Sequence, residues 1–274
     1  MAGPFLKWAG GKTYLLPRLR LYYPHSFETY FEPFLGGGAV FFDLRPKSAI
    51  LSDSNEDLII AYQTVRRNVD SLIRSLTDLA AEYRKSPKEK YYEVRDHQDP
   101  AELDAVSRTA RLIFLNKTCY NGLYRVNAQG HFNVPFGNYR NPTICDEEGL
   151  QTSSDALQSA VIRAMDYHEA LRLVRTGDFV YLDPPYHPVS KTASFTRYTR
   201  EDFGQAEQLE LASELSKLRG TVDCKILLSN AKVSHIESMY RRLGFDITLV
   251  TAPRMISCKP ETRGKILEIL VRNY

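Results

Sequence analysis

Apolar residues recur along this chain at two spacings, and the way the spacings alternate assigns a fold class. Short β-rich runs begin at Thr29 and cover Ala49–Asp53, Ala160–Asp166, Phe179–Leu182, Lys225–Ser229, Phe245–Thr251 and Lys265–Val271. Runs of this length bounded by turn residues read as buried strands. Between them the period becomes helical. Leu58, Tyr62, Val65, Val69, Leu72, Leu76 and Leu79 follow a 4-3-4-3-4-3 rhythm, which predicts one long helix with a single apolar stripe. Further helices are expected over about 102–115, 167–176, 207–217 and 233–243. Ser86–Pro100 is charged and punctuated by proline, and reads as a loop at a domain edge. Strands alternating with helices predict an α/β sheet. Residues 1–57 and 151–274 form the sheet domain in this reading, and 58–150 an inserted helical and hairpin domain.

One strand ends abruptly. Leu182-Asp183-Pro184-Pro185-Tyr186 follows the run Phe179–Leu182. Two prolines cannot continue a ladder, and they push Asp183 towards an extended conformation. The strand therefore delivers a carboxylate, a stiff backbone and an aromatic ring to its C-terminal rim, where open α/β sheets bind ligands. An ordinary strand-to-loop turn has the same sequence signature, so the meaning of this segment depends on what the rest of the chain places beside it.

Three other stretches bear on that. Residues 31–42 (FEPFLGGGAVFF) read as strand, glycine turn and helix. Gly36 and Gly38 match the first two glycines of a dinucleotide fingerprint, but Phe41 holds the third place, which counts against an NAD-dependent dehydrogenase. Asp53 ends the next strand, 15 residues after Gly38. An acid there accepts from ribose hydroxyls in nucleotide-binding folds or caps the following helix, and the upstream glycine turn favours the ribose. Near the N-terminus, Lys7-Trp8-Ala9-Gly10-Gly11-Lys12-Thr13 contains a Gly-Lys-Thr, but Leu6 stands where a Walker A loop needs glycine and no strand precedes it. A surface turn with a half-buried tryptophan, or a flap whose Lys12 meets an anionic ligand, remain as readings.

Charge becomes informative only when mapped. The net charge is +3, too small to name a partner, yet from Ala105 to Cys145 there are five Lys/Arg residues and no acid. Within that window, cations, amides and aromatics alternate around Asn121-Gly122 and Gln129-Gly130, a hairpin signal carrying side chains able to read bases. A region without acids does not repel phosphates, although a solvated basic hairpin without a partner has the same composition. The 43% hydrophobic content is that of a globular protein, and no apolar stretch approaches the roughly 18–20 residues of a membrane span. Met1–Phe5 lacks signal-peptide architecture, and Cys119, Cys145, Cys224 and Cys258 form neither a close pair nor a metal-ligand spacing. These features predict a cytoplasmic, membrane-free, metal-free protein, expected as a monomer. The absence of a Pro-Cys pair argues against methylation at cytosine C5 through a thiolate.

The motifs at 5–12 (FLKWAGGK), 31–39 (FEPFLGGGA), 120–127 (YNGLYRVN), 132–137 (FNVPFG) and 183–186 (DPPY) resemble, in this order, the DNA adenine methyltransferase (Dam) family, in its α group. The resemblance spans nearly the whole chain. It implies a Rossmann-like S-adenosylmethionine-dependent methyltransferase sheet with helices on both faces, an inserted target-recognition domain, and double-stranded DNA as partner. It implies transfer of a methyl group to adenine N6 at GATC by base flipping and direct displacement. By position, Trp8, Lys12, Phe34, Gly36, Gly38 and Asp53 match cofactor contacts, with Asp166 and Tyr167 a looser match and Asp183 adjoining. Asp183, Pro184 and Tyr186 match the catalytic motif, and Tyr120, Asn121, Arg125, Pro135 and Tyr139 the recognition hairpin. Ser194 to Phe203 resembles the segment that follows the catalytic motif. Amino-group methylation of cytosine or RNA, and DNA binding without catalysis, remain as alternatives.

Overall fold

The computed structural model describes residues 2–96, 100–127, 129–186, 203–253 and 265–274. After the helical turn α1 (Leu16–Leu19), the strand β1 (Tyr30–Glu32) leads through the glycine turn into α2 (Ala39–Leu44). β2 (Ala49–Asp53) follows, then the helices α3 (Glu56–Arg67), α4 (Val69–Lys85), α5 (Pro87–Arg95), α6 (Ala105–Thr118) and α7 (Glu147–Leu157). The chain returns through β3 (Ala160–Ala164), α8 (Tyr167–Arg172), β4 (Phe179–Leu182), α9 (Gln205–Thr221), β5 (Lys225–Ala231), α10 (Ser234–Arg242), β6 (Asp246–Pro253) and β7 (Lys265–Arg272).

Among the described residues seven strands form one sheet in the order β3-β2-β1-β4-β5-β7-β6, with β7 antiparallel to both its neighbours and the other pairings parallel. Strand order reverses between β1 and β4, so a crevice opens at the C-terminal ends of these two strands. The loop after β1 carries the glycine turn, and the loop after β4 carries Asp183.

Period-two alternation puts each strand to work on both faces. Tyr30, Leu51, Phe179, Tyr181 and Leu227 belong to one hydrophobic cluster, together with residues of α2 to α4, α6 and α7. Phe31, Val180, Leu182, Ile226 and Leu228 belong to the other, with residues of α8, α9 and α10. All four β4 side chains are buried, as a central strand covered on both sides requires. The α/β expectation is met, with helices on both faces of the sheet. The helices between β2 and β3 share their cluster with the sheet face. Among the described residues no helix is long and apolar enough to cross a membrane.

Three expectations differ. The stripe from Leu58 to Leu79 lies on two helices, because the chain leaves helical geometry at Asn68 (φ −133°, ψ 32°). The side-chain period survives such a break, so it could not be seen in the stripe. Ser86–Pro100 is largely α5 rather than loop. Pro87 stands in the first turn of that helix, where its missing N–H costs nothing, and Tyr91 anchors the helix by donating to the Val134 carbonyl at 2.7 Å. Among the described residues the hairpin segment is joined by isolated bridges rather than by a named pair of strands. Antiparallel bridges join Cys119 to Phe136 and Val126 to Phe132, and the chain reverses where Gly130 N donates to the Asn127 carbonyl. Asn121-Gly122 instead forms a left-handed kink inside a short 3-10 turn at the base (φ 57° and 63°).

Candidate active site

Asp183 stands at the rim of β4, and both its oxygens are engaged. Oδ1 accepts from Ser229 Oγ at 3.0 Å, and Oδ2 accepts from Lys12 Nζ at 2.7 Å. Burial raises the Asp183 pKa, while the charge and hydrogen bonds of Lys12 and Ser229 act to lower it. Lys12 itself is only 6% exposed. Its ammonium also bonds the Gly10 carbonyl and lies 4.7 Å from the centre of the Tyr186 ring. The Tyr186 hydroxyl donates to Glu268 on β7 at 2.9 Å. Pro184 is buried, and the Pro185 carbonyl accepts from Gln208 Nε2, so the backbone after Asp183 is held from α9.

The glycine turn faces this group across the crevice. Gly36 (φ 46°) and Gly38 (φ 65°) adopt left-handed conformations that disfavour any side chain. A Cβ at Gly36 would stand 2.8 Å from Trp8 Cδ1, and one at Gly38 would stand 2.8 Å from the Tyr62 hydroxyl. Asp53 braces the turn: Oδ2 accepts from Gly36 N and Oδ1 from Asn55 N, each at 3.0 Å, while burial raises its pKa. Asp53 is therefore not the cap of α3. Asn55 is, through a 3.1 Å bond from Leu58 N. Phe34 stacks on Tyr167 (5.4 Å, 27°), with Phe203 against it edge-on. Asp166 caps α8 in a reciprocal box with Glu169, so its carboxylate is taken up by the helix terminus.

The N-terminal segment bridges this crevice and the hairpin. The Lys7 backbone exchanges two hydrogen bonds with the Asn116 side chain, which also donates to Gly122 O. Trp8 stacks on Tyr124 (5.2 Å, 27°), whose hydroxyl donates to Asp57. Of the expected recognition residues, Tyr120 is 43% exposed, Asn121 and Pro135 are exposed, and the Tyr139 ring lies under Lys7 Nζ. Arg125 is half-buried and bonded within the hairpin: Nε donates to Asn133 Oδ1 at 2.7 Å and an Nη to Asn133 O at 2.9 Å.

The fold thus brings Lys12, Asp183 and Tyr186 into contact after β4, and Trp8, Gly36 and Asp53 into contact at the glycine turn after β1, with Phe34 and Gly38 in that same loop. Ser229, Glu268 and Glu32 were missed by sequence reasoning. Glu268 is a single acid inside an apolar strand and Glu32 the single acid that ends one, and that placement was an available signal for both. Glu32 is 3% exposed, accepts from Tyr30 OH at 2.8 Å, and is pushed up to about 8, chiefly by burial. Native Glu32 holds a proton that the unfolded chain releases above about pH 4.5, so its contribution to stability falls as pH rises from there through about 8. A Glu32→Gln protein should therefore gain in melting temperature relative to the parent as pH rises from 5 to 9. Parallel melting curves would refute this.

A family model for D12 class N6 adenine-specific DNA methyltransferases matches residues 8–256. The chain is 45% identical over 290 residues to the type II methyltransferase M.MjaIII of Methanocaldococcus jannaschii, covering 99% of each chain. It is 39% identical over 279 residues to the type II methyltransferase M1.LlaDCHI of Lactococcus lactis subsp. cremoris, covering 99% of this chain and 95% of that one. It is 33% identical over 268 residues to the DNA adenine methylase of Haemophilus influenzae, covering 97% of this chain and 92% of that one.

Proposed function

Because the chain belongs to the D12 class of N6 adenine-specific DNA methyltransferases, we propose that it transfers a methyl group from S-adenosylmethionine to an extruded adenine at GATC in double-stranded DNA. The observation that carries this reading is the Asp183 carboxylate, fixed by Ser229 and Lys12 beside Tyr186 at the point where strand order reverses. An exocyclic adenine amine is a poor nucleophile, because its lone pair is drawn into the ring. Asp183 and the Pro184 carbonyl offer acceptors for its two hydrogens, which would align the amine and return electron density to nitrogen. Tyr186 offers a ring for the extruded base to stack on, since N6 chemistry needs the base outside the duplex.

The crevice fits the cofactor. Asp53, Asp183 and Glu268 line or flank it against Lys12, the one buried lysine or arginine among the described residues, an excess of carboxylates suited to a sulfonium. Gly36 and Gly38 shape a sharp turn packed against Trp8 and Tyr62, Asp53 would accept from ribose hydroxyls, and the Phe34–Tyr167 stack would offer a surface for a purine. When bound, S-adenosylmethionine would supply an electrophilic methyl carbon, its sulfur keeping the bonding pair. Asp183 then accepts the proton that the methylated amine must release.

Residues 58–150 would serve as the target-recognition domain, with Tyr120, Asn121, Arg125, Pro135 and Tyr139 on the DNA side. Arg125 would leave Asn133 to fork onto guanine O6 and N7. The test is plasmid incubated with labelled cofactor, followed by mapping of the adenines protected from site-specific cleavage. Protection confined to GATC is expected, and label at other sites with none at GATC would overturn that specificity. Arg125→Ala should cost about 1–3 kcal/mol and relax discrimination at one guanine. An unchanged protection pattern would remove Arg125 from base reading. The names of the first two relatives also fit a role beside a restriction nuclease.

A further inference from the structure

We propose that Ser229, backed by the Tyr181 hydroxyl, is the positioning residue that fixes one oxygen of Asp183 and leaves the other for the adenine amine. The proposal rests on the reading of Asp183 as acceptor of that amine, and goes beyond it by assigning a role to two groups that touch neither substrate. Parallel pairing of β4 with β5 sets Leu182 beside Leu228, so the next residues, Asp183 and Ser229, meet at the rim. Ser229 is fully buried, and Tyr181 is 1% exposed. Ser229 Oγ lies 3.0 Å from Asp183 Oδ1 and 2.9 Å from Tyr181 OH.

A serine hydroxyl carries one proton. If that proton is given to the carboxylate, the tyrosine must donate to the serine, and the chain runs one way from Tyr181 through Ser229 to Asp183. Two buried hydroxyls aligned on one carboxylate oxygen stabilise its charge and stop it rotating. Oδ2 is left as the acceptor directed at the crevice, where Lys12 now holds it.

The charged and titratable groups around this carboxylate come from every neighbouring element. Lys12 bonds it directly, Tyr186 and Glu268 flank it from the loop after β4 and from β7, and Glu32 acts from β1. None of these touches Oδ1. Ser229 alone among the described contacts bonds that oxygen.

The experiment compares Ser229→Ala, Ser229→Thr and Tyr181→Phe with the parent. It measures steady-state methylation of a GATC duplex from pH 5.5 to 9, DNA binding by anisotropy, and melting temperature. Ser229→Ala should lower kcat about 10- to 100-fold with KM for DNA within about twofold. Its acid limb should move to higher pH, because a donor that favours the ionised carboxylate is gone. Ser229→Thr, which keeps the hydroxyl, should recover most of the rate, and Tyr181→Phe should shift the limb in the same direction by less. A Ser229→Ala enzyme with parental kcat and an unmoved limb overturns the proposal. So does a loss that the threonine variant shares, or that melting temperature and DNA binding match. If Asp183→Ala is inactive while Ser229→Ala is unaffected, only this proposal fails. If Asp183→Ala turns over at the parental rate, the reading beneath it fails as well.

Discussion

Asp183→Ala should bind DNA as the parent does and methylate it slower by about three powers of ten or more. General acid–base assistance is typically worth about 10²–10⁴-fold, and here one carboxylate would both align the amine and receive its proton. The substitution also frees Lys12, which would keep only the Gly10 carbonyl of its two hydrogen-bond partners. A buried ammonium without its carboxylate is unfavourable, so melting temperature should be measured alongside. Asp183→Asn answers that concern, since an amide preserves the shape and an acceptor for Ser229 while removing the charge. Single-turnover methylation with saturating cofactor is the decisive readout. A folded Asp183→Ala or Asp183→Asn enzyme that turns over at the parental rate would remove Asp183 from the chemistry.

That prediction was reachable from sequence because two prolines force a strand to stop. Phe179–Leu182 followed by Asp-Pro-Pro-Tyr leaves few conformations other than a rim, and the structure puts the rim at the reversal of strand order. The glycine turn was equally legible: Gly36 and Gly38 occupy left-handed conformations that the sequence marks by supplying no Cβ. Boundaries set by backbone geometry were harder. The apolar stripe from Leu58 to Leu79 runs across the break at Asn68, and Pro87 reads as a loop residue until it is seen to open a helix. Partners across the sheet were harder still. Ser229 and Glu268 reach Asp183 and Tyr186 from β5 and β7, and no local pattern says which strands will be neighbours. Arg125 shows the same limit in another form. Its position in the hairpin was expected, but its engagement with Asn133 depends on a residue eight positions away across the turn.

Lys12 gives the sharpest contrast between the two levels, and its removal should have the second large effect. In sequence it is a cation beside glycines, suited to an anionic ligand. In the structure its ammonium bonds the Asp183 carboxylate and faces the Tyr186 ring. The two roles predict different phenotypes. A ligand contact alone would weaken cofactor binding and leave the chemical step and its pH dependence intact. A partner of Asp183 acts on ionisation. Burial already raises the pKa of Asp183, and Lys12 is the foremost influence opposing that rise. Without it the pKa rises further, so less of the enzyme carries the ionised acceptor at neutral pH. Lys12→Ala should therefore move the acid limb of kcat upward and cut the rate near pH 7 by about 10²-fold, with partial recovery as pH rises towards 9. Lys12→Arg retains charge but not the compact ammonium between Gly10 and Asp183, and should recover the limb better than the rate. The pH profile of single-turnover methylation checks both. A Lys12→Ala enzyme whose limb stays in place, and whose only defect is a raised Kd for S-adenosylmethionine, would return Lys12 to the role its sequence first suggests.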